Sequence, residues 1–157
     1  MLFCLTLGSL PLLGESVAVR ALGIGDNKLI PERYVETANG FEHLTMSTRQ
    51  PSALVQAHAE EKLALFKKVA TDGKPVAYKM VRELSLPEGA KNVLVLAFTS
   101  DKEERYLTIQ DDFLQATSDK WLVINTSSKS VTLQVGGNDG EKFVINPEES
   151  RGWSIGA

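Results

Sequence analysis

Cysteine is nearly missing from this 157-residue chain: Cys4 is its single example, and histidine occurs only at His43 and His58. One cysteine cannot build a disulfide framework. A blue-copper centre needs two histidines and a thiolate, so loss of Cys4 with an N-terminal segment would exclude that redox role. The 15 residues separating His43 from His58 match no compact zinc motif. We therefore expect both histidines to serve packing or surface roles, and we expect no cofactor.

Basic excess is missing as well. The chain has 17 Lys and Arg against 20 Asp and Glu, a net charge of -3 and a pI near 5.4. Such a balance provides no electrostatic field to attract nucleic acid or anionic lipid. No Gly-x-Ser-x-Gly elbow, phosphate loop or dinucleotide fingerprint occurs. Gly23-Ile24-Gly25 lacks a third glycine and a following helix, so it reads as a bend. Glu83 and Asp111 illustrate the carboxylate pairs that any acidic protein offers, and they carry no specific case for glycoside chemistry. The expectation is a non-enzymatic protein.

What is present begins with a charge-free stretch, Leu2 to Gly14, of signal-peptide length and too short to cross a bilayer comfortably. Gly14-Glu15-Ser16 offers small residues for cleavage before Val17, although no positive n-region precedes the stretch. This predicts an exported protein, periplasmic or extracellular, with residues 1–16 as signal and 17–157 as one domain. Cys4 lacks the small residues that precede a lipidated cysteine, so no lipid anchor or stable membrane insertion is expected after signal removal.

The remaining pattern is that of β-strands. Val93 to Phe98 is apolar on both faces and predicts a central strand covered on each side. Val76 to Leu86 alternates, as a half-buried strand does, with Arg82 as the exception. Val17 to Gly25 and Tyr106 to Gln110 read as further strands, with Arg33 to Thr37 as a short edge strand before the Asn39-Gly40 turn. The C-terminal third reads as three hairpins built from Trp121–Thr126, Ser130–Val135, Lys142–Ile145 and Gly152–Ile155. Residues 53–69 are ambiguous: Val55, Ala59, Leu63, Phe66 and Ala70 have helical spacing, whereas Leu63 and Leu65 alternate with their neighbours. The β context favours strands near 53–57 and 62–68, with one short helix as the alternative. The fold expectation is all-β: an antiparallel two-sheet sandwich.

Candidate sites are few. Asp111-Asp112 invites a calcium reading, but two acids supply too few of the 6–8 oxygens required, and turn or cap chemistry is the simpler account. Asn125-Thr126-Ser127 matches a glycosylation sequon, a short pattern that occurs often by chance. Trp121, Trp153 and Tyr106 are the candidate stacking platforms for a ligand. Core packing competes with that role, because a tryptophan buries so much area.

Leu86-Pro87-Glu88-Gly89, Val93-Leu94-Val95-Leu96, Ile109-Gln110-Asp111-Asp112, Val123 to Ser127, Gly136-Gly137 and Asn146-Pro147-Glu148-Glu149 occur in that order. This succession resembles a group of small uncharacterised exported bacterial β-sandwich proteins, over roughly residues 40–157. The resemblance implies an immunoglobulin-like or cupredoxin-like architecture and no particular reaction. Binding is then the expected class: an extracytoplasmic interaction or assembly module in a cell-envelope complex, with a protein partner. The alternative is a carbohydrate-binding module whose partner is a glycan.

Overall fold

The computed structural model describes residues 15–25, 31–70, 73, 75–100, 103–112 and 120–154. The expected signal segment up to Gly14, with Cys4, lies outside the described residues, as do parts of the loops after β1, β5, β7 and β8. The chain is all-β. Its strands are β1 (Ser16–Ile24), β2 (Arg33–Thr37), β3 (Gly40–Leu44), β4 (Val55–His58), β5 (Lys62–Val69), β6 (Ala77–Ser85), β7 (Asn92–Ser100) and β8 (Glu103–Gln110), followed by β9 (Lys120–Ile124), β10 (Val131–Val135), β11 (Glu141–Ile145) and β12 (Ser150–Ser154).

The first eight strands form one mixed sheet in the order β6-β5-β2-β4-β1-β7-β8, with β3 paired to β2. Pairing is antiparallel except in one place. β1 and β7 run parallel through seven residue pairs, Ala18 opposite Asn92 to Ile24 opposite Phe98, which corrects the purely antiparallel expectation. The reason lies in the two sequences, since both strands are apolar on both faces and suit the middle of a covered sheet. Val17, Val19 and Ala21 of β1 and Val93 and Val95 of β7 enter the main core. Leu94 and Leu96 enter a second cluster with Ile109, against which Leu22, Ile24, Leu122 and Ile124 pack. Strand β9 thus covers the outer side of β1, β7 and β8.

The main core draws residues from β1 to β7, with Tyr106 of β8 against it. The sheet therefore curls on itself. Arg33 of β2 reaches across the interior to β8: its Nε donates to the Tyr106 hydroxyl at 2.9 Å, and its Nη2 donates to both carboxylate oxygens of Glu104. The free edges of β6 and β8 also touch, with Thr108 Oγ1 donating to the Ser85 carbonyl at 2.5 Å.

Residues 53–69 resolve as strands. Val55, Ala57, Ala59, Leu63 and Leu65 are all buried, a period-2 set, and Ala57 and Leu65 stand off the helical stripe. Pairing with β1 and β6 outweighs the helical propensity of the segment. Two expectations fail. β2 is not an edge strand, because β3 lies beside it. The polar Glu42 and His43 hide the alternation of β3, and the buried Arg33 does the same for β2. The three C-terminal hairpins reduce to one, β10 with β11, while β9 pairs with β12. Gly140 closes the β10–β11 loop, and an added Cβ there would sit 2.0 Å from the Val135 carbonyl oxygen.

Arg20 is the polar exception on the outer side of β1. Its Nε and Nη2 donate to the two Asp111 oxygens at 2.7 and 2.8 Å, and Asp111 is 2% exposed. The hydrogen bond from Arg20 to Asp111 raises the guanidinium pKa further, against the opposing effect of burial. Breaking a buried pair from one side leaves a desolvated charge. Arg20→Met should therefore cost about 3–5 kcal/mol in urea unfolding, and Arg20→Met with Asp111→Leu substantially less than the sum of the two singles. Strict additivity would show that the two groups are uncoupled.

Candidate binding surfaces

The three stacking candidates are separated by the fold. Tyr106 points into the curl, half-buried against the main core, with its hydroxyl engaged by Arg33. Trp121 is the second residue of β9 and is 53% exposed. Its neighbour Leu122 packs on the second cluster, so strand alternation turns Trp121 away from β7 and β8. Trp153 pairs in register with Trp121 across β9 and β12, while its side chain lies outside the described residues.

Tyr106 also lines a cleft of about 470 Å³ where the edges of β6 and β8 diverge. The acids there are largely committed: Glu104 to Arg33, Glu148 to Arg105 at 3.3 Å, and Glu83 to Lys62 at 3.8 Å. A larger depression of about 1270 Å³ lies beside the start of β1, between residues 60–62 and 85–92. It sets Glu15, Glu60, Glu61 and Glu88 near Lys62 and Lys91.

An aromatic face, unnoticed in the sequence, lies on β2, β3, β5 and β6. Register places His43, Tyr34, Phe66 and Met80 in one row across the four strands. Tyr34 lies 5.1 Å from His43 and 5.2 Å from Tyr78, ring to ring. Phe41 and Tyr78, from diagonal corners of these strands, stack at 4.2 Å and 14°, and Phe66 meets Phe41 edge-on at 4.8 Å. Such corners meet only in a strongly coiled sheet. Met80 ends the row 51% exposed. The aromatics are far apart in sequence, and only the strand register unites them.

The remaining candidates have structural partners. Among the described residues, no cluster of three metal-ligating side chains assembles. Asp112 accepts from Gln110 Nε2 at 2.9 Å, while Asp111 belongs to the Arg20 pair instead of turn chemistry. Gly25 ends β1 at φ 94, the expected bend. Asn125 of the sequon is buried, and its Nδ2 donates to the carbonyls of Lys129 and Ile145 at 2.7 and 2.9 Å. Its Oδ1 accepts from the backbone N–H and hydroxyl of Ser127. Beside it, the turn at 146–149 places Glu148 at φ 63, and the Asn146 backbone N–H holds the Glu149 carboxyl below the usual glutamate range.

No protein-family model, characterised protein or solved structure matches this chain.

The Asn125 side chain ties the end of β9 to Ile145 of β11, beside backbone hydrogen bonds that join Asn125 to Glu148 and Glu149. Asn125→Asp should leave the Lys129 and Ile145 carbonyls without those donors and lower stability by about 2–4 kcal/mol. The cost should be visible in denaturant midpoints, and a change below about 0.5 kcal/mol would mean that the hairpin docks by other means.

Proposed function

We propose that this chain is an exported, non-enzymatic binding or assembly module, and that the face of β2, β3, β5 and β6 is its interaction surface. One asymmetry carries the reading. The outer side of β1, β7 and β8 is covered by β9, whereas the row ending in Met80 has no equivalent layer among the described residues. Aromatic residues and methionine are enriched in protein interfaces, and methionine adapts to a partner's shape. The stacked rings spend their faces on one another and offer edges and apolar rims, which suits a protein partner better than a sugar ring.

In the same reading the curled sheet is a two-layer sandwich. One layer is β3-β2-β5-β6 and the other β4-β1-β7-β8, with the chain changing layer after β1, β3, β4 and β6. The Arg33 bridge to Glu104 and Tyr106 supports this description, because it crosses from one layer to the other. The kinship with small exported β-sandwich proteins belongs to the same proposal, as does the absence of nucleic acid and membrane from its partners.

A second reading has its own support. Trp121 is exposed, and Trp153 is opposite it in register, an arrangement in which a glycan could stack on the β9–β12 ribbon.

The surface is tested by capture from envelope extract with the wild type and with Met80→Lys. A protein partner should be recovered by the first and lost, at least tenfold, with the second, at equal melting temperature; equal recovery would sink the assignment. Soluble polysaccharide that quenches tryptophan fluorescence, with the effect abolished by Trp121→Ala, would favour the glycan reading instead. For export, N-terminal sequencing of secreted protein should begin at or near Val17, and a chain retaining Met1 and Leu2 would refute it.

A further inference from the structure

Strand alternation sorts the charges of β2, β5 and β6 by side. Val35, Leu63, Leu65 and Leu84 turn into the main core, and Arg33, Lys67, Lys79 and Arg82 share their side, away from the aromatic face. Every charged residue on that side of the three strands is therefore a cation. Lys67 and Lys79 stand directly opposite each other in the β5–β6 ladder. Tyr34 pairs with Phe66, so antiparallel register sets Arg33 beside Lys67 in the same row. The acids that could neutralise this row are spent or distant. Glu104 of β8 reaches it from across the core, and both its oxygens accept from Arg33 Nη2. Glu83 of β6 lies on the aromatic side, 3.8 Å from Lys62. Glu42 shares the row's side but stands on β3, two strand spacings of ~4.8 Å from β5. Lys67, Lys79 and Arg82 are exposed, and none has an ion-pair partner among the described residues. Like charges directly opposed destabilise a sheet, so the bare row carries a cost that a bound anion would remove.

We propose that Lys67 and Lys79, with Arg82 beside them on β6, form a binding site for a multivalent oxyanion of the phosphate or sulfate class. Directly opposed side chains leave their strands ~4.5–5.5 Å apart, so the two ammonium groups can donate to separate oxygens of one tetrahedral anion. Lysine binds such a group as a point charge on a flexible stem and needs no fixed fork geometry. Arg33 has its donors engaged by Glu104, Tyr106 and the Glu32 carbonyl, and it contributes its field to the row without being free to bind. The acidic balance of the whole chain does not oppose this, because exposed charges act over only ~8 Å at physiological salt. The site lies on the side of the sheet away from Met80, so it is independent of the aromatic face as a docking surface.

The test is titration with inorganic phosphate and with sulfate, followed by calorimetry and by melting temperature, at an ionic strength held constant with chloride. The wild type should bind one anion per chain, and its melting temperature should rise to a plateau. Lys67→Gln and Lys79→Gln should each weaken phosphate binding by roughly tenfold or more. Both should melt at or above the wild type in phosphate-free buffer, which also shows that they are folded. Lys68→Gln, on the aromatic side opposite Tyr78, should bind phosphate as the wild type does. Phosphate and sulfate also stabilise proteins in general by exclusion from their surface, an effect common to all the variants. A wild type that binds no phosphate, a response equal in wild type, Lys67→Gln and Lys79→Gln, or an equal loss in Lys68→Gln would each overturn the proposal.

Discussion

The parallel ladder between β1 and β7 is the constraint on which the remaining architecture depends. It joins the first strand of the described chain to the seventh, with β2 to β6 lying between them in sequence. Each strand is apolar on both sides, and fully burying a valine or leucine side chain is worth about 1.5–3 kcal/mol. That stabilisation is available only if something covers each side. The inner side is met by the curl that brings β2, β5 and β6 across the core, and the outer side by β9. The two halves of the chain are thus recruited to opposite sides of one central pair.

Within that frame the buried charges have separate tasks. Arg20 and Asp111 lie on the outer side and span β7, tying the end of β8 back to β1. Arg33 lies on the inner side and ties β2 to β8 across the core. Arg20 and Asp111 form a bidentate guanidinium–carboxylate pair, the geometry that fixes orientation most firmly, while Arg33 divides its donors between Glu104 and Tyr106. They hold the curl in one register where apolar packing alone would allow it to slide.

The sequence was most legible where periodicity and burial agree. Val93 to Phe98 read as a doubly covered strand and is one; Val76 to Leu86 read as one half-buried alternating strand, and β6 is a strand in which Leu84 alone is buried and the ladder with β5 shifts register between Leu65 and Phe66. It was least legible where a polar side chain interrupts the apolar pattern of a strand. Arg33 disguised β2 as an edge, and Glu42 with His43 hid β3 altogether. Pairing between distant segments was beyond local pattern: nothing near Trp121 indicates that its partner is Trp153 and not the next strand. The aromatic face shares that origin, since Tyr34, Phe41, Phe66 and Tyr78 have no common spacing. Asp111 illustrates the reverse error, in which a turn-like acid proved to be an anchor because Arg20 lies 91 residues away.

Asn125 has a consequence for how the protein can be produced. Oligosaccharide transfer acts on an asparagine amide nitrogen that is free in the unfolded chain, whereas the folded chain spends both hydrogens of that nitrogen on Lys129 and Ile145. A sugar attached there would remove a donor and occupy the seam between β9 and the β10–β11 hairpin. In a secretory pathway that recognises the sequon, each molecule faces a kinetic choice at this one atom: it completes its C-terminal third first, or it carries a glycan that keeps that third from docking.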